Sequence, residues 1–238
     1  REIAQNRSAF ANIQISGIHM HIGSQITQSQ PYIRAIKKAG KLMGDLKNIG
    51  IKISFLNIGG GLGIVYDKEK PQTAKEFAAK VVPLLRKLKV RVILEPGRFI
   101  AGSAGVLLTK VTYVKENRNK NFIIVDAAMN DLIRPSLYGA YHKIIPLVDK
   151  AKNNIGRKLS DVVGPICESG DFLGKDRQLA AARGDFLAVM GAGAYGFAMS
   201  SNYNSRPRAA EVLVSGKACK VIRKRETYKD LVDKEIAL

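Results

Sequence analysis

Over the first hundred residues, short β-branched segments alternate with long amphipathic ones, and few architectures accept that alternation. Residues 15–22 predict a strand. A helix is expected over 32–48, where Ile33, Ile36, Ala39, Leu42, Met43 and Leu46 fall on one face, until Gly50 stops it. Residues 51–58 predict a second strand that runs into a glycine cluster. Thr73 and Glu76 form a capping-box pattern for a helix over 74–88, inside which Pro83 predicts a kink or break. Residues 91–94 give a third strand. Repeats of this length build parallel βα units. Three such units do not close a barrel, and an open parallel stack leaves unpaired edges. The expectation for residues 1–100 is therefore an α/β unit, the final βα units of a (β/α)8 barrel, with a doubly wound sheet as the competing arrangement.

Beyond residue 100 the pattern changes. Residues 106–115 and 121–126 are β-branched runs separated by Glu116, Asn117, Arg118 and Asn119, a hairpin signal. Further strands are expected at 159–163, 185–190, 211–215 and 218–222, the last two joined by a tight turn at Gly216 and Lys217. Residues 101–238 are thus expected to form a C-terminal, mostly antiparallel β domain, a sandwich or a barrel.

Composition sets bounds on this reading. The 238 residues are 46% hydrophobic and 25% charged, with no apolar run long enough to span a bilayer, so no membrane role is expected. Cys167 and Cys219 make neither a disulfide framework nor a metal knuckle, which favours a reducing, cytoplasmic setting. Arg1–Gln5 resembles neither an initiator segment nor a signal peptide, and the sequence reads as starting inside a longer gene product. The net charge of +19 invites a nucleic-acid partner. Yet the basic residues are dispersed through amphipathic segments with no aromatic-interleaved stripe, so the expectation is a solvated basic surface that favours small anionic ligands and binds no nucleic acid.

Three clusters fall at the C-terminal ends of the predicted strands, where barrel enzymes place their working groups. The first holds His19 and His21, two apart and so on one face. The second is Gly59, Gly60 and Gly61 with Gly63, where backbone amides can converge on an anion. The third is Glu95 to Arg98, a carboxylate and a guanidinium at one strand mouth. Each has a plainer reading: a packed or metal-binding imidazole pair, a simple turn, a structural ion pair. The glycine run also departs from the dinucleotide fingerprint, because Tyr66 stands where a glycine belongs. Taken together, an imidazole, an amide-rich loop and a carboxylate–arginine pair suit a phosphorylated heteroaromatic cofactor.

These clusters resemble the fold-type III pyridoxal-phosphate decarboxylases, and among them the diaminopimelate decarboxylases. The matching stretches are residues 17–25 (GIHMHIGSQ), 56–63 (LNIGGGLG), 93–98 (ILEPGR), 125–138 (VDAAMNDLIRPSLY), 163–171 (VGPICESGD) and 191–195 (GAGAY). The resemblance covers nearly the whole chain. It implies decarboxylation of meso-diaminopimelate to L-lysine and CO2 with pyridoxal 5'-phosphate, by a homodimer with shared active sites, and no metal. It implies that His21 stacks on the cofactor ring. Ser24, Gly59, Gly60 and Gly61 would line the phosphate site. Glu95 would face the pyridine nitrogen, with Gly97 beside the cofactor and Arg98 near phosphate and substrate. Arg134 and Tyr138 would hold a substrate carboxylate, and Tyr195 would touch both ligands. Cys167 would be the proton donor and Glu168 would bind the distal ammonium, both supplied across the dimer interface.

Chemistry supports these roles. Loss of CO2 leaves an electron pair that the cofactor ring accepts well only when its nitrogen is protonated, which a carboxylate favours. The far end of diaminopimelate carries a carboxylate and an ammonium, and Arg134 with Glu168 is the complementary pair. A thiol can deliver a proton near neutral pH. Arg134 as a surface residue, Cys167 as inert core and Tyr195 as a packed aromatic are the plainer readings. Related enzymes of arginine, ornithine or carboxynorspermidine, a non-catalytic homologue, and a metal-dependent hydrolase using His19 and His21 are the competing functions. The family also carries a cofactor-linking lysine on an early barrel strand, and no matching motif occurs here. The isolated 238-residue polypeptide, supplied with pyridoxal phosphate and diaminopimelate, is expected to release no lysine, and measurable lysine would refute this.

Overall fold

The structure, a computed structural model, describes residues 5–117, 120–148 and 156–236. The chain forms two compact units, Arg1–Ile100 and Ala101–Leu238. Arg118 and Asn119 of the expected hairpin turn lie outside the described residues.

In the N-terminal unit, β1 (Gly17–His19), β2 (Phe55–Asn57) and β3 (Arg91–Ile93) form a parallel sheet in the order β1-β2-β3. Two helices connect them, α1 (Gln30–Asn48) and α2 (Ala74–Leu88). The strands are shorter than the apolar runs that encode them. Beyond His19 and Asn57 the chain leaves the ladder for the loops that carry the motif residues, with Gly23 (φ 139°) and Gly59 (φ 70°) in conformations that other residues rarely adopt. Tyr32, Ile36 and Ala39 of α1 and Phe77, Val81 and Leu85 of α2 pack with Leu56, Ile58 and Leu62 into one core. Tyr32 meets Phe77 edge to face, with ring centroids 5.0 Å apart.

The Thr73–Glu76 capping box is present: the Glu76 amide donates to Thr73 Oγ1 (3.2 Å) and the Thr73 amide to Glu76 Oε2 (2.7 Å). The expected break at Pro83 is not. Helix α2 runs through it without interruption. Pro83 lies on the exposed face, where water can satisfy the carbonyl that loses its donor and a gentle bend meets no neighbour.

The C-terminal unit is built on β4 (Leu107–Glu116), β5 (Asn121–Val125), β6 (Ile144–Pro146), β7 (Lys158–Val163), β8 (Phe172–Leu179) and β9 (Phe186–Val189). They make one sheet in the order β6-β9-β4-β5-β7-β8. Its edges curl toward each other, so that a Cβ on Gly174 of β8 would sit 3.0 Å from Ile144 of β6. The described pairings are mostly antiparallel, as expected, but an all-antiparallel domain needs correction at one place: β5 pairs with β7 in parallel, so the sheet is mixed. The long connection between them, which includes the short helix α3 (Arg134–Tyr138) and β6, lets the chain return in the same direction. Strands β6 and β8 are additions to the sequence reading. Beta-6 is three residues long, and β8 carries Gly174, Lys175, Asp176 and Arg177 in mid-strand, which dilutes any apolar alternation. Val111, Ile123, Val125, Leu132, Val162, Leu173, Leu187 and Val189 form the core.

A separate antiparallel hairpin, β10 (Glu211–Ser215) and β11 (Ala218–Arg223), turns at Gly216 (φ 58°). It is followed by the short helix α4 (Tyr228–Val232), which has a second capping box at Thr227 and Asp230. Glu226, just past the hairpin, is clamped to Arg208 just before it. Arg208 Nε donates to Glu226 Oε1 at 2.7 Å, while the Arg208 amide (2.8 Å) and Asn202 Nδ2 (2.7 Å) donate to Oε2. The Arg208 guanidinium, helped by its backbone amide and by Asn202, pulls the Glu226 carboxyl down to about 2 from its usual 4.5.

A carboxyl with a depressed folded-state pKa stabilises the fold above its unfolded value, and that contribution is lost on acidification. Glu226→Gln is therefore expected to lower the melting temperature at pH 6–7. The difference from the unmodified protein should shrink as pH falls through the window from 4.5 to about 2, read by thermal melts across that range.

Candidate functional site

In the N-terminal unit the strand ends converge through main chain. The Glu95 amide donates to the Gly59 carbonyl (2.9 Å), the Ile58 amide to the Ile93 carbonyl (3.0 Å), and the Met20 amide to the Asn57 carbonyl (3.0 Å). The glycines at this junction are required sterically. A Cβ at Gly59 would strike the Met20 carbonyl, one at Gly60 the Glu95 carbonyl, and one at Gly61 the Gly23 carbonyl. Gly59 and Gly61 also have positive φ, 70° and 93°. Below them, Tyr32 Oη donates to the Gly60 carbonyl (2.7 Å), and burial pushes this phenol up to about 12. The sequence showed Tyr32 only as part of a helix; its polar tip supports the glycine loop from the core side.

Side chains of the first and third clusters meet above this junction. Ile18, Met20 and Ile22 pack toward the core, and the alternating His19 and His21 are exposed on the other side. His19 Nε2 lies 3.7 Å from Glu95 Oε1. Asn57 joins two clusters: its Nδ2 donates to Glu95 Oε1 (2.6 Å), and its Oδ1 accepts from the Gly59 amide (2.8 Å). A Cβ at Gly59 would stand 3.2 Å from His21 Nδ1, which puts that ring beside the loop. Arg98 donates through one terminal nitrogen to Ser24 Oγ (2.9 Å) and through the other to Tyr66 Oη (2.9 Å), with its guanidinium 5.6 Å from the Tyr66 ring centroid. Gly97, at the head of the five-residue helix Gly97–Ala101, donates to the Glu95 carbonyl (2.8 Å).

His21, Ser24, Gly59, Gly60, Gly61, Glu95, Gly97 and Arg98 are thus gathered at one end of one sheet. Asn57 and Tyr66 are residues that motif reading passed over. Asn57 sat inside a quoted motif and could have been noted as the polar residue ending its strand. Among the described residues the amides of Gly60 and Gly61 donate no hydrogen bond to the protein. Two such amides with the Ser24 hydroxyl and the Arg98 guanidinium are the donor set that an anionic oxygen group takes. A carboxylate and imidazoles beside it suit a heteroaromatic ring. Among the described residues, His19 and His21 gather no set of three or more His, Cys, Asp or Glu able to hold a metal ion.

In the C-terminal unit, Arg134 opens α3 and is only 8% exposed, which removes the surface reading. It lies 2.8 Å from His142 Nε2, while His142 Nδ1 is 2.8 Å from the Met190 carbonyl. The only tautomer that satisfies both carries its proton on Nδ1, so a neutral, wholly buried imidazole accepts from the guanidinium. Tyr138, at the other end of α3, is exposed.

Cys167 and Glu168 sit on an exposed turn, which removes the inert-core reading of the thiol. Tyr203 Oη donates to Glu168 Oε2 (3.2 Å), and this bond pushes the Tyr203 phenol above its usual range. Tyr195 is 41% exposed at a φ of 61°, a conformation that costs a non-glycine residue energy and recurs at functional sites. The neighbouring Gly193 and Gly196 press against the carbonyls of Ala101 and Ala192. His142 and Tyr203, which lie outside the quoted motifs, carried no periodic or spacing signal.

Comparison with known proteins places the chain in a family. Residues 17–193 match the family described as pyridoxal-dependent decarboxylase, C-terminal sheet domain. The chain is 52% identical to the diaminopimelate decarboxylase of Aquifex aeolicus over 95% of its own length and 54% of that protein's. It is 47% identical to the diaminopimelate decarboxylase of Haemophilus influenzae over 97% and 55%. The crystal structure of diaminopimelate decarboxylase from Helicobacter pylori complexed with L-lysine superposes with a TM-score of 0.89 at 40% identity, covering 98% of this chain and 58% of that one. The chain spans about half the length of the curated relatives it matches. With this match and the clustered motif residues together, the chain belongs to the pyridoxal-dependent decarboxylase family.

Proposed function

We propose that this chain is part of an enzyme that decarboxylates meso-diaminopimelate to L-lysine with pyridoxal 5'-phosphate. The observation that carries the reading is the junction of Gly59–Gly61, Ser24, Arg98, Glu95 and His21 at one sheet end, supported by relatives of that name about 50% identical over most of the chain. On this reading residues 1–100 are the closing βα units of a (β/α)8 barrel and residues 101–238 its C-terminal β domain. The enzyme works as a cytoplasmic homodimer in which Cys167 and Glu168 serve the partner's site.

Bound pyridoxal phosphate supplies an electron sink for the pair left behind when CO2 departs. The chain's residues set the conditions for that. The Gly60 and Gly61 amides, Ser24 and Arg98 would hold the phosphate, and His21 would stack on the ring. Glu95, oriented by Asn57, keeps a proton on the ring nitrogen; opposite charges about 4 Å apart attract by roughly 4 kcal/mol at an effective dielectric of 20. Arg134, aimed by neutral His142, binds the distal carboxylate with help from Tyr138. Glu168, oriented by Tyr203, binds the distal ammonium. Cys167 returns a proton to the carbon that lost CO2. Tyr195, as the family resemblance implies, would touch cofactor and substrate.

Turnover assays on the full-length enzyme test the assignment. Diaminopimelate should be consumed, with lysine, ornithine and arginine handled poorly. Preference for a substrate whose far end carries only a cation would overturn it, because Arg134 would then face like charge. Arg134→Lys keeps the charge but loses the two-pronged geometry. It is expected to raise KM for diaminopimelate about tenfold, in line with the roughly 1.5–3 kcal/mol of a charge-assisted hydrogen bond. Glu95→Gln is expected to lower kcat about a hundredfold, comparable to removing one preorganised electrostatic group from an active site, with a shift in the visible absorbance of the bound cofactor as the second readout.

A further inference from the structure

The turn bearing Cys167 and Glu168 contains no regular secondary structure, so its position has to be set by specific contacts. They converge on one residue. Asp171 is 4% exposed, and its two carboxylate oxygens face different parts of the unit. Oδ2 accepts from the Ile166 amide (2.7 Å), immediately before Cys167. Oδ1 accepts from the Met129 amide (2.7 Å), on the segment that leads into α3.

The backbone of Asp171 closes the same turn, its amide donating to the Glu168 carbonyl (3.0 Å) and its carbonyl accepting from the Gly164 amide (3.2 Å). Gly164 lies so close that a Cβ there would run into both carboxylate oxygens and the Ala127 carbonyl. A second tie runs alongside, from Ser136 Oγ in α3 to the Gly170 carbonyl (2.5 Å). Burial pushes the Asp171 carboxyl up, while the Met129 and Ile166 amides and the charge of Arg206 pull it down.

We propose that Asp171 is the positioning residue that fixes the Cys167–Glu168 turn against the segment carrying Arg134 and Tyr138. The proposal rests on the functional reading above, in which Cys167 and Glu168 are presented to the partner's site from a turn that this tie holds in place. A carboxylate is required because two amides from two segments must be accepted at once. An asparagine of the same shape turns one of those contacts into N–H facing N–H.

The test uses the full-length enzyme and two readouts. Asp171→Asn is expected to lower kcat/KM for diaminopimelate about tenfold in the otherwise unmodified enzyme, and to cost less than about twofold when added to Cys167→Ala combined with Glu168→Gln, because both groups being positioned are already gone. Peptide-resolved alkylation by iodoacetamide should show the rate at Cys167 changed about threefold or more by Asp171→Asn, with the far-ultraviolet spectrum unaltered. Ser136→Ala, a milder cut through the second tie, should show the same pattern at about threefold, and it carries the test if Asp171→Asn does not fold. Equal losses in both backgrounds, or an unchanged alkylation rate, overturn the proposal. An unmodified enzyme that does not consume diaminopimelate overturns the functional reading instead, and the alkylation rates then decide the positioning alone.

Discussion

The N-terminal unit depends on how closely three strand ends approach each other at Gly59, Gly60 and Gly61. The approach is main chain against main chain: the positions of the Met20, Gly23 and Glu95 carbonyls leave no volume for a side chain on the loop. Because the loop is thin, Asn57 can reach Glu95 on one side and the Gly59 amide on the other. Because it is supported from below by Tyr32, the amides of Gly60 and Gly61 keep a fixed direction. The buried phenol ties that support to the same core that holds α1 against α2. Apolar packing and the placement of polar groups are here one arrangement, since the residue that fills the core also holds the loop.

The C-terminal unit follows a different plan. Arg134 and Glu168 project from a five-residue helix and an irregular turn around a mixed sheet, and both are steadied by a polar partner outside their own segment. His142 steadies Arg134 across 8 residues, and Tyr203 steadies Glu168 across 35. Glu226 and Arg208 fasten the chain on either side of the exposed hairpin. Irregular backbone needs such ties because it lacks a ladder of its own to fix it.

How much of this was legible in the sequence follows from the range of the interactions concerned. Helix α2 was readable almost to the residue, since its signals are local: a capping box at Thr73 and an amphipathic face. The long ladders of β4 with β5 and β10 with β11 were readable from β-branched runs around turns. Pro83 misled because its local penalty is met by solvent on an exposed face. Strands β6 and β8 and the parallel pairing of β5 with β7 were not legible, because they arise from sheet-wide packing and leave no period in a short or charged segment. The site divides the same way. His21, Gly59–Gly61, Glu95, Arg98, Cys167 and Tyr195 stood out as motif residues, whereas the supporting contacts of Tyr32, His142 and Tyr203 were silent, because such a contact is defined only by where the chain folds back.

The crowding around Gly60 bears on how proteins of this kind diversify. A surface made of peptide groups offers natural selection nothing to exchange, since any added carbon evicts a neighbouring carbonyl. What such a loop binds is therefore effectively frozen. Room for a different side chain exists instead at exposed positions such as Tyr138, Glu168 and Tyr195.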